Sequence, residues 1–198
     1  MDITDAGFSA QQLQALDRWY HEKRQAEQRA HRPSMAIIAS KGTLDAAYPP
    51  FILASTAASM DWEVTVFFSF YGLALLKQDL NLKLSPLGNP AMPMKIPYGP
   101  DWLRHAELGL PNLLMAGIPG FEKAAAHMMR RTLANKGIAS VGELRELALE
   151  AGVKMVGCQM TADLFGWERE EFLPEVSDWV GAASFLPIAR NADVTLYM

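Results

Sequence analysis

The run Glu63 to Ser69 (EVTVFFS) constrains this chain more than any other segment. It is β-branched and aromatic, and nearly all of it is apolar. A strand of that kind has no face to give to water, so it belongs in a parallel sheet covered on both sides. Parallel neighbours need a crossover connection, usually a helix, and a right-handed one. The flanking sequence supplies the alternation. Met35 to Ala39 is a short apolar run ending in Ser40-Lys41-Gly42-Thr43, a strand followed by a tight turn. Thr43 to Ser59 is patterned as a helix that Pro49 and Pro50 must kink or break. Tyr71 to Lys77 follows as a short helix.

Beyond residue 120 the same order resumes. A helix over Phe121 to Lys136 stops at Gly137; Ser140 caps a second helix with Glu143 as its box partner, ending at Gly152. Val153 to Gly157 is a strand that delivers Cys158, and Gln159 to Phe165 restarts a helix that Gly166 stops. Glu168 to Pro174 is a turn or helix, Trp179 to Asn191 reads mostly helical, and Val194 to Met198 closes as a strand. The expected fold is α/β: a three-layer, open and mainly parallel sheet of four or five strands. Residues 8–32 add an N-terminal helix, opened by a Ser9/Gln12 capping box and closed by Pro33. Its second half (HEKRQAEQRAHR) offers only alanines among charged and polar residues. The expected organisation is therefore a charged helical extension over 1–33 and an α/β domain over 34–198.

Residues 78–119 interrupt that domain. Seven of the twelve prolines lie there, so long regular elements are not expected, and such an excursion serves as a lid, a binding loop or an oligomer contact. Met92, Met94, Trp102, Leu113, Leu114 and Met115 make it apolar enough to favour packing against another subunit.

Composition excludes several classes. Half of the 198 residues are hydrophobic and 20% are charged, which provides a core and rules out a disordered chain. A net charge of −4 and a pI near 5.6 leave no basic footprint for nucleic acid. The longest uncharged stretch, between Asp45 and Asp61, has 15 residues and two prolines, too short for the ~20 of a spanning helix. The start (MDITDAGFSA) lacks a basic or apolar leader, and one cysteine forms no internal disulfide, so a cytoplasmic location is expected.

The residue chemistry narrows to one thiol. Ligands of open parallel sheets bind beyond the carboxyl ends of the strands, where Cys158 is placed, and a thiol just before a helix start is favoured as thiolate. The competing reading is a small buried hydrophobe. Lys41, Gly42 and Thr43, in the turn after the first strand, form a weaker candidate for holding an anion, since the spacing matches no phosphate-loop signature. His21, His31, His105 and His127 are scattered without the spacing of a metal site, and no GxSxG elbow is present, so neither a metal nor a hydrolase triad is expected. Asp163 reads as a solvated or capping carboxylate.

The string Gly152 to Gly166 (GVKMVGCQMTADLFG) resembles the cysteine region of the DsrE/DsrF-like superfamily, in its larger DsrE-like sulfur-carrier branch. Phe67 to Leu76, the helix starting at Ser140 and the ending Asp193 to Met198 extend the resemblance over residues 34–198. The resemblance implies a DsrE/flavodoxin-like domain that forms homo-oligomers and carries sulfur as persulfide or thiosulfonate on Cys158. Sulfur would pass between a rhodanese-like donor and a TusA-like carrier, with Lys41, Gly42, Thr43, Gln159, Met160 and Thr161 around the cargo and no cofactor. Relatives with a second upstream cysteine differ from this chain, which has none, so a relay between two thiols of one subunit is not expected. The rival classes are a flavodoxin-like ligand-binding module and a structural oligomeric module without thiol chemistry.

Overall fold

A computed structural model describes residues 9–84, 94–95, 100, 102, 107–108 and 119–198. The chain divides into two units, residues 1–33 and 34–198. The first is one helix, α1 (Ala10–Ala30), opened by reciprocal bonds of Ser9 and Gln12: each backbone N–H donates to the other's side-chain oxygen. Leu16, Trp19 and Tyr20 each expose about half of their surface, and Lys23 and Arg24 sit over the Trp19 and Tyr20 rings.

The second unit is built on a five-stranded, all-parallel sheet in the order β6-β5-β2-β1-β7. Its strands are β1 (Ser34–Ala39), β2 (Glu63–Phe68), β5 (Lys154–Cys158), β6 (Asp178–Val180) and β7 (Val194–Tyr197). A separate antiparallel pair, β3 (Met94–Lys95) with β4 (Glu107–Leu108), lies within the proline-rich excursion. The rest of the segment proposed for subunit contact, including Met92, Leu113, Leu114 and Met115, lies outside the described residues. Trp102 is exposed.

The apolar run at Glu63–Ser69 is the central strand, and Val64 to Phe68 are all buried. Side chains alternate across the sheet. Ile37, Val66, Phe68 and Met155 face a large core shared with α2 (Leu44–Ser59) and α4 (Val141–Glu150), while Ala36, Phe67, Val156 and Cys158 face a smaller cluster closed by Phe185 of α6 (Ala182–Asn191). The remaining helices are α3 (Phe121–Asn135) and α5 (Gln159–Phe165). Ser140 and Glu143 form the capping box of α4, and the Ser140 amide holds the Glu143 carboxyl below its ordinary range, with help from the Ser140 hydroxyl.

Of the two outcomes expected at Pro49 and Pro50, a break does not occur: α2 runs through both, because Ala47, Tyr48, Phe51, Ala54 and Ala57 bury a full face that outweighs the lost helix hydrogen bonds. The short helix after β2 is of 3-10 type, Phe70–Leu76. One expectation is corrected: Trp179 and Val180 belong to the edge strand β6 and not to the helix that follows, since three residues carry no periodicity and pairing with β5 decides their state.

At the carboxyl edge of the sheet two turns interlock backbone to backbone. A Cβ at Gly42, in the turn after β1, would collide with the carbonyl oxygen of Tyr71, and a Cβ at Gly72, after β2, would collide with that of Ala39. Gly42 is thus a residue of close approach. We expect Gly72→Ala to cost about 2–4 kcal/mol, since backbone rather than a flexible side chain must yield. Gly142→Ala, inside α4 where a Cβ would meet only the Ser140 hydroxyl at an ordinary 3.8 Å, is expected to stabilise by about 0.5–1 kcal/mol. Urea unfolding of both variants checks the opposite signs.

Candidate functional site

Cys158 is the last residue of β5 and occupies the N-cap position of α5 with extended backbone angles. Alternation along β5 places Met155 and Gly157 on the α2 side and Val156 and Cys158 on the α6 side. The Trp179 ring lies where a Cβ of Gly157 would stand, so the strand is pressed against β6 one residue before the thiol. Cys158 itself is only 2% exposed, in a cluster where Phe67 and Phe185 stack at 4.6 Å, and its side chain makes no capping hydrogen bond.

The register Phe68 with Gly157 brings Ser69, the residue after β2, level with Cys158. Phe70 then turns away with φ of 48°, a left-handed conformation that costs a bulky side chain about 1–2 kcal/mol. Its amide donates to the Thr161 hydroxyl of α5 at 3.0 Å, and Tyr71 stacks near Phe165 at 5.8 Å. The strained turn is therefore tied to the helix that follows the cysteine. At its other end the 3-10 helix is held by the buried Arg145, which donates to the Leu75 and Lys77 carbonyls at 3.1 and 2.7 Å. Burial pushes the Arg145 guanidinium down from its ordinary value, against Glu146 and Glu175, and its Nε has no partner among the described residues. The Lys77 ammonium sits 2.8 Å from Glu171 and 4.0 Å from the Trp167 ring centroid.

The residues expected around the cargo fall into two groups. Gln159, Met160 and Thr161 follow Cys158 directly. Gln159 is engaged at both ends of its amide: Nε2 donates to Asp163 and Oε1 accepts from Arg169, each at 2.7 Å. Asp163 thus receives a hydrogen bond from its own helix. Met160 is 59% exposed and Thr161 is buried under Phe70. Lys41, Gly42 and Thr43 lie in the turn after β1, which β2 separates from β5; two interstrand spacings are about 10 Å. Lys41 is exposed, Thr43 makes no side-chain cap, and the Leu44 amide is taken by the Lys83 carbonyl. Phe70 and Trp179 escaped the sequence reading, since neither a positive φ at phenylalanine nor a ring over glycine leaves a pattern in residue types.

Gln159, the residue after Cys158, lines with Asp163, Trp167, Glu168, Arg169 and Glu170 an open concavity of about 340 Å3 that Cys158 itself does not line. The segment 159–178 holds Asp163, Glu168, Glu170, Glu171, Glu175 and Asp178 against Arg169, a net −5 in a chain of net −4. No group of three or more metal-binding side chains occurs among the described residues, and no helix among them is long and apolar enough to cross a membrane.

Comparison with known proteins matches residues 31–197 to the DsrE/DsrF/DrsH-like family. The sulfur carrier protein DsrE2 of Allochromatium vinosum is 52% identical over 165 residues, covering 83% of this chain and 97% of that protein. The uncharacterized protein YrkE of Bacillus subtilis is 31% identical over 163 residues, covering 82% and 94%. From the geometry alone, Thr161→Val is expected to leave the Phe70 amide without its partner, cost about 1–3 kcal/mol and accelerate alkylation of Cys158 by iodoacetamide several-fold. Thr161→Ser should restore the slow rate; equal rates in all three proteins would show that the turn does not shield the thiol.

Proposed function

Because the chain belongs to the DsrE/DsrF/DrsH-like family, we propose that it is a sulfur carrier that holds sulfane sulfur on Cys158 and relays it between protein partners. The observation that carries this reading is that the chain's one thiol ends a strand at the carboxyl edge of a parallel sheet, where such folds do their chemistry. The Cys158 thiolate attacks a sulfane sulfur, the donor's leaving group departs with the electron pair, and a persulfide remains. An acceptor thiolate then attacks the outer sulfur, and Cys158 leaves as thiolate. No net oxidation occurs, so no cofactor is required. When the donor holds the sulfur as a thiosulfonate, R–S–S–SO3⁻, attack on the middle sulfur breaks its bond to RS⁻, which leaves, and Cys158 Sγ carries S–SO3⁻ until an acceptor thiolate attacks that sulfur and Cys158 leaves as thiolate.

The donor in this reading is rhodanese-like, the acceptor TusA-like and the working form a homo-oligomer in the cytoplasm. Gln159, Met160 and Thr161 are the neighbours of the cargo, with Lys41, Gly42 and Thr43 across the edge. Burial of Cys158 at 2% exposure favours a second reading, a structural thiol in the Phe67–Phe185 cluster. Intact mass separates the two. After incubation with polysulfide or thiosulfate, the wild type should gain a reducible adduct of ~32 Da, and with tetrathionate, which expels thiosulfate, one of ~112 Da, both of which Cys158→Ser lacks. An unmodified wild type, or an equal adduct on the serine variant, defeats the carrier reading.

The extension over 1–33 has few apolar residues to bury, so in this reading it is dispensable for the thiol chemistry. A chain starting at Ser34 should unfold cooperatively on heating and load sulfur as the full chain does. Loss of cooperative unfolding would make α1 part of the core; loss of loading alone would make it part of the site.

A further inference from the structure

We infer that the surface around Cys158 is a docking face for a partner protein that presents its sulfur-bearing thiol on an apolar projection ringed by lysine or arginine. The inference rests on the carrier reading and names the chemistry of the partner at the same site. Two observations carry it. The first is an apolar patch: Met160 and Leu164, one helical turn apart on α5, are 59% and 64% exposed, and across the carboxyl edge Phe70 and Tyr71 are 48% and 67% exposed. The Phe70–Thr161 hydrogen bond and the Tyr71–Phe165 stacking join the two halves into one surface.

The second observation is the charge beside that patch. Asp163, Glu168 and Glu170 line the adjoining concavity, and Arg169, the one cation among its described lining residues, is already bonded to Gln159. Small thiols and sulfur donors such as glutathione, thiosulfate and polysulfide are anions, and so is the attacking thiolate of any acceptor. A negative field at the mouth of the site opposes each of them. A partner that brings its own cations reverses the sign of that interaction, with a basic side chain placed in the concavity and apolar residues on Met160, Leu164, Phe70 and Tyr71. The acidic rim thus slows reaction with free anionic donors and thiols without preventing it and favours a basic protein surface, a choice made by repulsion as much as by attraction.

The experiment uses the full chain and two pentapeptides, one with a cysteine between two pairs of lysines, the other its glutamate counterpart. In one arm, Cys158 persulfide is mixed with each peptide and the ~32 Da gain of the peptide is timed. In the other, each peptide is supplied as its mixed disulfide with thionitrobenzoate. The Cys158 thiolate attacks the peptide sulfur, the S–S bond breaks, and thionitrobenzoate leaves as a coloured anion. Rates are divided by those with mercaptoethanol in place of the protein. We expect the lysine peptide to be favoured about tenfold at low salt, with the preference shrinking at least threefold in 1 M NaCl and in Glu168→Gln/Glu170→Gln. A preference below about threefold at low salt, or one that moves with neither salt nor the substitutions, overturns the docking face. A lysine preference in the disulfide arm without any sulfur uptake from polysulfide overturns the carrier reading and leaves the docking face standing.

Discussion

Backbone meets backbone at the carboxyl edge of the sheet, where Gly42 lies against the Tyr71 carbonyl and Gly72 against that of Ala39. Contacts of this kind admit no side chain and fix two strand ends to within a fraction of an ångström. The turn after β2 then has one course, and it forces Phe70 into a left-handed conformation. Thr161 and Arg145 supply the hydrogen bonds that keep the turn and the 3-10 helix in that course. Ser69, level with Cys158, directly follows the strand end so held, while the thiol itself is covered by the Phe67–Phe185 cluster on the α6 side.

Much of the frame was legible because local rules and tertiary packing agree. The Ser9/Gln12 and Ser140/Glu143 boxes, the stop at Gly166 in left-handed conformation, and the all-apolar β2 each follow from residue type and spacing. What escaped depends on neighbours distant in sequence. The edge strand β6 is three residues long and exists through its pairing with β5. Gly42 reads like part of an anion loop until the Tyr71 carbonyl is in view.

The same division runs through the site. The place of Cys158 at the end of a strand could be read from Val153-Lys-Met-Val-Gly; its burial could not, because the face taken by a strand's last residue depends on register and on what covers it. Cys158 ends β5 and Lys41 follows the end of β1, yet the order β5-β2-β1 inserts a whole strand between them. Sequence gives strand ends; only topology says which ends are neighbours.

Gly157 bears on what this chain could become. The Trp179 ring occupies the space of its Cβ, so no larger residue fits beside the thiol without displacing an indole packed into the main core. A second cysteine at that position, the shortest route to a vicinal dithiol, is closed to single substitution. Any second thiol for Cys158 has to be placed elsewhere in the fold or supplied by another molecule.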